Sequence, residues 1–312
     1  MWWATCVCAL SACGAVDRVD TGEPNDPLPS CGLPAEVPHD PDASWLPGGE
    51  GPWRDRVVLA CADEDGALHE LGVFAHNADV PTILSTSDGR TAVAFQHYST
   101  TDPSAFDVMQ VQVSHDHGAH WEPPVRLEVE ALPAAFDRPV DPTLVELADG
   151  RFRLYFSWRG PEATVHIASA TASQLTGPYT YDPGPRVMLP GAEVRDASVA
   201  LHDGRWHLYS PGGYDPASPA PAVHAVSTDG LSFTLLDPVQ LDALMLGSVQ
   251  SEADHLRFFA SGRQGVVSAT SADGVDWKLE PPVLLPMRFD PGVVTRPDGT
   301  RMMVATALHT DL

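Results

Sequence analysis

The sequence predicts an all-β fold, a five-bladed β-propeller, over residues 53–312. Three observations favour it. Short runs of β-branched and aromatic residues alternate with Asp-Gly turns. No segment shows a helical period over more than two turns. A two-part pattern recurs along the chain, and because each part is a hairpin, one repeat supplies the four strands of a propeller blade.

The first part of the repeat is an Asp, a few apolar residues, a tight turn and a second apolar strand. Its turns are mostly Asp-Gly pairs, which supply the positive φ that a short hairpin needs. The fourth of the five copies lacks the leading Asp. The copies begin at Asp79, Asp141, Asp196, Gly247 and Asp290.

The second part is a hairpin with Ser, Asp, Gly and an aromatic residue, at 114–121, 227–233 and 271–277, with a degenerate copy at 172–179. These turns resemble the Asp-box of sialidase-like propellers. That resemblance implies an Asp that caps the turn and an aromatic ring that fills the sheet. We therefore expect these turns to be structural.

The fifth repeat has only its first hairpin, and strands near 57–60 and 68–74 precede the first repeat. Pairing these N-terminal strands with the C-terminal hairpin would complete the last blade and remove an exposed edge. The alternative fold is a β-sandwich with Asp-Gly turns. A sandwich does not predict the split repeat, so we favour the propeller.

The N-terminus predicts export. Residues 1–12 form an apolar run too short to span a bilayer, and Leu10-Ser11-Ala12-Cys13 resembles the lipobox of bacterial lipoproteins. This resemblance implies a signal peptide, cleavage before Cys13 and a lipid anchor on its thiol. Residues 13–52, rich in Pro, Gly and acidic residues, are typical of a linker. We expect a chain anchored to a bacterial cell-envelope membrane, periplasmic or at the cell surface.

Cys31 and Cys61 remain once the signal and the anchor are assigned. They could form a disulfide in an oxidising compartment, the alternative being two free thiols.

The chain has 42 acidic and 18 basic residues and a net charge of −24. Such a surface repels phosphate backbones, which excludes nucleic acid as an expected partner. It suits a neutral substrate, a cation or a salty medium, but we favour the interpretation that the acidity only keeps the protein soluble. The expected partner is a carbohydrate, the expected membrane contact is the lipid anchor, and we expect a monomer.

Asp79, Asp141, Asp196 and Asp290 each open a predicted innermost strand, so their carboxylates would converge on the central channel. Hydrolysis of a glycosidic bond uses such a pair: one carboxylate activates water and a protonated one donates to the leaving oxygen. Each Asp could instead cap its own turn. The chemistry requires no cofactor, although Ca²⁺ among these oxygens is compatible with the sequence.

Asp79-Val-Pro, Asp141-Pro-Thr and Asp290-Pro-Gly resemble the Asp-Pro strand starts of glycoside hydrolase family 43 and its arabinanase, levansucrase and invertase relatives. The resemblance implies a general base from blade one, a pKa-tuning Asp from blade two and a Glu as general acid from blade three. By position, Asp79 corresponds to the general base and Asp141 to the residue that tunes the pKa of the acid. Asp196 stands where Glu is expected, with Glu193 three residues earlier, so either is the candidate acid.

Further polar and aromatic residues at strand ends are expected to line the mouth and bind substrate. The clustered His115, His117 and His120 lie in a predicted turn, so we expect exposure rather than a metal site. The expected mouth residues are His76, His97, Tyr98, Trp158, Arg159, Arg195, Tyr214, Arg263, Asp290 and His309.

Three functions follow as hypotheses. The first is a glycosidase that cleaves arabinose- or xylose-containing glycans with inversion. The second is a non-catalytic surface propeller that binds glycan or protein, favoured by the Asp in blade three and the missing Asp in blade four. The third is a sialidase relative, which needs three arginines around a Tyr; the count of five blades opposes it. Its candidate arginines are Arg138, Arg159, Arg195 and Arg263.

Overall fold

The computed structural model describes residues 28, 30–40, 43, 45–48, 51–133, 138–160 and 164–309. The predicted signal segment, Cys13 and part of the predicted linker lie outside these ranges. Within them the chain forms five β-sheets and two single-turn 3-10 helices, Pro52–Arg54 and Pro103–Ala105. None of the described helices is long and apolar enough to cross a membrane. The predicted five-bladed β-propeller is confirmed.

Each blade begins at the channel and is built outward in antiparallel strands. Strands β1 (Arg56–Ala62) and β2 (Leu68–His76) precede the first complete blade. Blade one contains β3 (Ala78–Ser85), β4 (Thr91–His97), β5 (Val108–Ser114) and β6 (Val125–Arg126). Blade two contains β7 (Val129–Glu130), β8 (Val140–Glu146), β9 (Phe152–Arg159), β10 (Val165–Ala172) and β11 (Tyr179–Val187). In it β7 pairs parallel with the outer strand β11.

The remaining blades repeat this order. Blade three contains β12 (Ser198–His202), β13 (Arg205–Ser210), β14 (Val223–Ser227) and β15 (Thr234–Leu235). Blade four contains β16 (Leu244–Ser251), β17 (Leu256–Gly262), β18 (Gly265–Ser271) and β19 (Lys278–Pro286). Blade five begins with β20 (Phe289–Thr295) and β21 (Arg301–Ala307).

The N-terminal strands complete blade five, as predicted. Strand β1 pairs with β21 from Arg56 opposite Ala307 to Cys61 opposite Met302, and β2 lies outside β1. The last sheet therefore has the order β20-β21-β1-β2. The inner strands of blade five thus gain a third and a fourth strand, which removes the edge that β21 would otherwise expose.

The predicted turns are built as their sequences require. Gly89 and Gly150, at two of the Asp-Gly turns, have φ values of 89° and 80°. In the outer turn of blade three, the Asp229 carboxylate accepts the backbone N–H groups of Leu231 and Ser232 at 2.8 and 2.7 Å. These side chains satisfy backbone donors within the turn, which is a structural role.

The core lies between neighbouring blades. Two buried tyrosines show how the blades are joined: Tyr155 on β9 donates to the Gly230 carbonyl of blade three, and Tyr209 on β13 donates to the Gly274 carbonyl of blade four, both at 2.8 Å. Each ring fills the space between sheets while its hydroxyl is satisfied, as a buried Tyr requires. At the N-terminus, a disulfide joins Cys31 to Cys61 on β1.

Candidate functional site

The innermost strands β3, β8, β12, β16 and β20 surround a central cavity of about 450 Å³. Asp141, Asp196 and Asp290 line it at the end where their strands begin. Asp141 and Asp196 are partly exposed, whereas Asp290 is 8% exposed. The structure therefore brings carboxyl groups from blades two, three and five to one mouth of the channel.

A shared backbone conformation positions these three residues. Asp141, Asp196 and Asp290 have φ values of 58°, 52° and 49°, in the left-handed region that Asp tolerates better than most residues. The backbone N–H of Asp196 donates to Ser157 Oγ, and that of Asp290 donates to Ser261 Oγ. A hydroxyl of the preceding blade thus holds the residue in place.

Blade one departs from this register by one residue. The residue with the left-handed conformation there is Val80, with φ 47°, and Pro81 follows it as Pro142 follows Asp141. Asp79 is one position earlier and pairs with Gln96 on β4. The predicted alignment of Asp79 with Asp141 is therefore corrected: Val80 occupies that place.

Asp79 nevertheless belongs to the same electrostatic group. Burial, followed by the charges of Asp141, Asp290, Asp55 and Asp196, raises its pKa well above the ordinary value. Burial, followed by the charge of Asp79, also raises the pKa of Tyr98, a side chain only 8% exposed.

The other three carboxyls are also shifted upward, with burial as the largest cause and like charge as the next. The pKa of Asp141 lies well above its usual range, that of Asp196 rises to about 7, and that of Asp290 rises to about 8. The proximity of Asp141 lowers the Asp196 pKa slightly, and Ser157 lowers the Asp141 pKa, but neither effect outweighs burial. The cluster therefore retains protons at neutral pH, because full ionisation would bring like charges together in a crowded site.

Asp196 and Glu193, the two candidate acids, have opposite surroundings. Glu193 is exposed and accepts hydrogen bonds from Arg195 and Arg159 at 3.0 Å, which lower its pKa. Asp196 accepts a hydrogen bond from the Tyr214 hydroxyl and faces the other carboxyls. A proton donor at neutral pH needs a raised pKa, so Asp196 fits that role and Glu193 does not.

The arginines considered for a sialidase-like site have protein acceptors. Glu193 pairs with both Arg159 and Arg195. Arg138 donates to the Phe106 carbonyl and Arg263 to the Ala217 carbonyl. Two of the four are thus already paired with one protein carboxylate, which does not favour a triad for a substrate carboxylate.

The remaining predicted mouth residues lie in several places. Trp158 is 1% exposed and packs in the core beside His166 and Tyr181, so its ring is covered and cannot stack on a sugar. His309 hydrogen-bonds to Asp55 through Nδ1 at 2.8 Å. His76 and His97 line a second cavity of about 440 Å³.

Sequence reasoning missed two polar contributors. Ser157 connects the Asp141 carboxyl to the Asp196 backbone, and its hydroxyl within the apolar strand β9 was the available signal. Asp55, 7% exposed, adds negative charge near Asp79. No local pattern marked it.

Two places offer metal-ligating atoms. The carboxyl oxygens of the channel are the donors that Ca²⁺ takes, and Ca²⁺ there stays a prediction. Elsewhere in the described chain, Glu36, His39 and His76 form one group of nearby ligands. By contrast, His115 and His120 contact Glu122 and Asp116 in their turn and are exposed or partly exposed.

No protein-family model and no curated protein sequence matches the chain. Solved structures do match. A family 43 glycoside hydrolase of Xanthomonas citri complexed with xylose has a TM-score of 0.55 and 16% identity, over 74% of this chain and 86% of that one. A family 117 glycoside hydrolase of the marine bacterium Zobellia galactanivorans has a TM-score of 0.53 and 14% identity, over 82% and 91%.

An α-L-arabinofuranosidase of Clostridium thermocellum is also similar, with a TM-score of 0.51 and 17% identity over 71% of this chain and 79% of that one. At such identities the likeness establishes the fold, which the three proteins share with this chain.

Proposed function

We propose that this chain is a glycoside hydrolase that works by acid–base catalysis at the mouth of its channel. The observation that carries the proposal is the group of carboxyls from four blades, Asp79, Asp141, Asp196 and Asp290, whose pKa values are raised by burial and by one another's charge, with three of them lining the channel cavity. Strongly shifted carboxyls beside an open cavity are typical of catalytic sites. The all-β neighbours that are glycoside hydrolases support the same reading.

Asp196 is the general acid in this proposal. Its pKa of about 7 leaves it substantially protonated near neutral pH, so it can give a proton to the glycosidic oxygen as the bond breaks. Burial, followed by the charge of Asp290, raises this pKa, whereas interactions with Tyr214, Arg195 and Asp141 lower it. The raised pKa favours return of a proton to Asp196 after each turnover.

Asp79 is the general base. In its ionised form, its carboxylate accepts a proton from water and becomes the carboxylic acid, while that water attacks the anomeric carbon from the face opposite the leaving group, which inverts the configuration. Tyr98 lies close enough to Asp79 for the charge of the carboxylate to raise the tyrosine pKa. For inversion the two carboxyls should stand roughly 6.5–9.5 Å apart with the sugar between them.

The proposed substrates are glycans that contain xylose or arabinose. Support comes from the neighbours, one determined with xylose and another an arabinofuranosidase. A screen of aryl β-xylosides and aryl α-arabinofuranosides tests this, with wild type, Asp196→Asn and Asp203→Asn. Asp203 is an exposed Asp at a turn of the same blade and serves as the matched control.

We expect the wild type and Asp203→Asn to release the aryl group at equal rates and Asp196→Asn to be slower by about 10²–10⁴-fold. An NMR measurement of the first anomer formed tests inversion. Equal activity in all three proteins would exclude Asp196 as the acid.

A non-catalytic propeller that binds glycan or protein is the second candidate. It is favoured by Val80, which puts an apolar side chain where blades two, three and five have an Asp. In that case, sugar binding would be measurable by calorimetry, but no substrate in the screen would be cleaved.

We also propose that the chain is exported and lipid-anchored through Cys13. The Cys31–Cys61 disulfide supports an oxidising compartment. Metabolic labelling with a fatty acid should mark the wild type and not Cys13→Ser; labelling of both would contradict the anchor.

A further inference from the structure

The segment of residues 30–40 precedes the propeller in sequence and contacts both blade one and blade five, the two blades that meet where the ring closes. It is fixed near its two ends. At one end are the Cys31 disulfide and the N–H of Gly32, which donates to the Gly118 carbonyl at 2.9 Å. At the other end, the Asp40 N–H donates to Thr100 Oγ1 at 2.7 Å. We call residues 30–40 the arm.

Apolar burial holds the middle of the arm only weakly. Leu33 and Val37, its large apolar residues, are 41% and 44% exposed. Side chains this exposed gain only part of the free energy of full burial. Between its anchored ends, the arm therefore gains only limited stabilisation from apolar burial.

Three ligand side chains meet at that point. Glu36 and His39 belong to the arm, and His76 is the last residue of β2, the outer strand of blade five. Their ligand atoms all lie within 4.8 Å of one another. The two imidazole rings stack with centroids 3.9 Å apart, and Glu36 Oε1 is 3.9 Å from His39 Nδ1.

We propose that Glu36, His39 and His76 bind Zn²⁺ or a similar divalent transition metal. Two imidazole nitrogens and one carboxylate oxygen are a ligand set that Zn²⁺ takes, with a fourth position for water. The neighbouring cavity of about 440 Å³, which these three residues line, gives that water room.

Metal binding requires a small closure of the ligands. Zn–ligand distances near 2.0–2.2 Å place tetrahedral ligand atoms roughly 3.4 Å apart, less than the 4.8 Å limit that contains them here. Rotation of the Glu36 side chain, which is 75% exposed, and of the partly exposed His39 can provide this closure. The metal would then fix the middle of the arm to β2 at the seam that closes the propeller.

This site is separate from the carboxyl cluster. Its ligands line the second cavity and none lines the channel. The outcome of a metal-binding test is therefore independent of whether the proposed hydrolase activity is found.

The test is calorimetric titration of the full-length, chelator-treated protein with ZnCl₂. We expect one Zn²⁺ per chain in the wild type and loss of that binding in His76→Gln and in His39→Gln. His69→Gln is the matched control, because His69 lies on the same strand, is exposed, and contacts Asp63 rather than the arm. It should bind Zn²⁺ like the wild type.

Two further measurements keep the result interpretable. Co²⁺ in place of Zn²⁺ should give the visible absorption of a tetrahedral ion in the wild type and in His69→Gln but not in the ligand variants, and Zn²⁺ should slow proteolysis of the arm. If His76→Gln fails to fold, Glu36→Gln on the exposed arm replaces it. Absence of stoichiometric binding to the wild type, or binding that survives all three ligand substitutions, would overturn the proposal.

Discussion

The pKa of aspartate is shifted in opposite directions at the channel mouth and in the outer turns. In the turns, Asp229 and Asp116 accept backbone N–H groups, and these hydrogen bonds help to lower the pKa of each to about 2. At the mouth, Asp196 and Asp290 have few such donors and face other carboxyls, and their pKa values rise to about 7 and 8. The pKa of an aspartate at the mouth is thus about five to six units higher than that of an aspartate in an outer turn.

The difference shows that the aspartates of this acidic sequence occupy two kinds of environment. Turn carboxylates are ionised because backbone dipoles stabilise the charge, and they contribute to folding. Channel carboxyls are held where the charge is disfavoured, a cost to stability that a catalytic or cation-binding site explains. Replacing a channel aspartate by a neutral residue should therefore raise the free energy of unfolding, whereas replacing a turn aspartate should lower it.

The largest effect is expected from Asp79→Asn. If Asp79 is the base, the amide cannot accept the proton of water, and kcat should fall by about 10²–10⁴-fold with an unchanged fold. Steady-state kinetics on an aryl glycoside measures this, with Asp203→Asn as control. Full activity in Asp79→Asn would exclude Asp79 as the base. It would agree with the register of blade one, in which Val80 rather than Asp79 occupies the position of Asp141.

Asp290→Asn should stabilise the protein, most strongly at high pH. Because the folded-state pKa of Asp290 is raised to about 8, the native state binds more protons than the unfolded state between roughly pH 4 and 8. Stability is therefore lost as pH rises through that window, and a neutral amide avoids the loss. We expect a gain of about 1–3 kcal/mol at pH 8 and a smaller one at pH 5, measured by urea unfolding.

The left-handed φ of Asp290 also suits Asn, so backbone strain should not obscure that result. A gain that is equal at both pH values would contradict the raised pKa.

Asp229→Ala should destabilise the protein by about 1 kcal/mol at pH 7, because two backbone N–H groups lose their acceptor. The sign with pH is opposite to that of Asp290. The Asp229 pKa is lowered to about 2, so its contribution is present above about pH 4 and disappears as pH falls through 2. Thermal unfolding at pH 7 and pH 3 checks this, and Asp229→Asn, which keeps an acceptor, should lose less.

The smallest effect is expected from Tyr214→Phe. The Tyr214 hydroxyl lowers the Asp196 pKa by hydrogen-bonding to the carboxylate, so its removal should raise that pKa. The alkaline limb of the activity profile, where the acid loses its proton, should move upward by less than about one pH unit. A downward shift would mean that another group controls this limb.

Most of the fold was predictable because turns mark it directly. The Asp-Gly pairs and the split repeat gave the number of blades and the pairing of β1 with β21. Register in blade one was not predicted correctly, because the repeats were aligned on Asp79 rather than on Pro81, which matches Pro142 and Pro291 in the structure.

Site details were less predictable, since they depend on contacts between blades. Strand β9 is buried along nearly its whole length, so alternation could not show that Trp158 faces the core. The pairing of Arg159 with Glu193 joins residues 34 positions apart, and no local pattern indicates it. The meeting of His39 and His76 likewise depends on where the arm crosses β2.

The most direct test is an NMR titration of the protein labelled with ¹³C at the aspartate carboxyl carbons, with Asp196→Asn and Asp290→Asn to assign two signals. We predict that these two titrate near pH 7 and 8, while the turn aspartates titrate near 2. If Asp196 and Asp290 instead titrate at the ordinary value of about 4, the carboxyls do not retain protons at neutral pH, and the proposed acid–base site is contradicted.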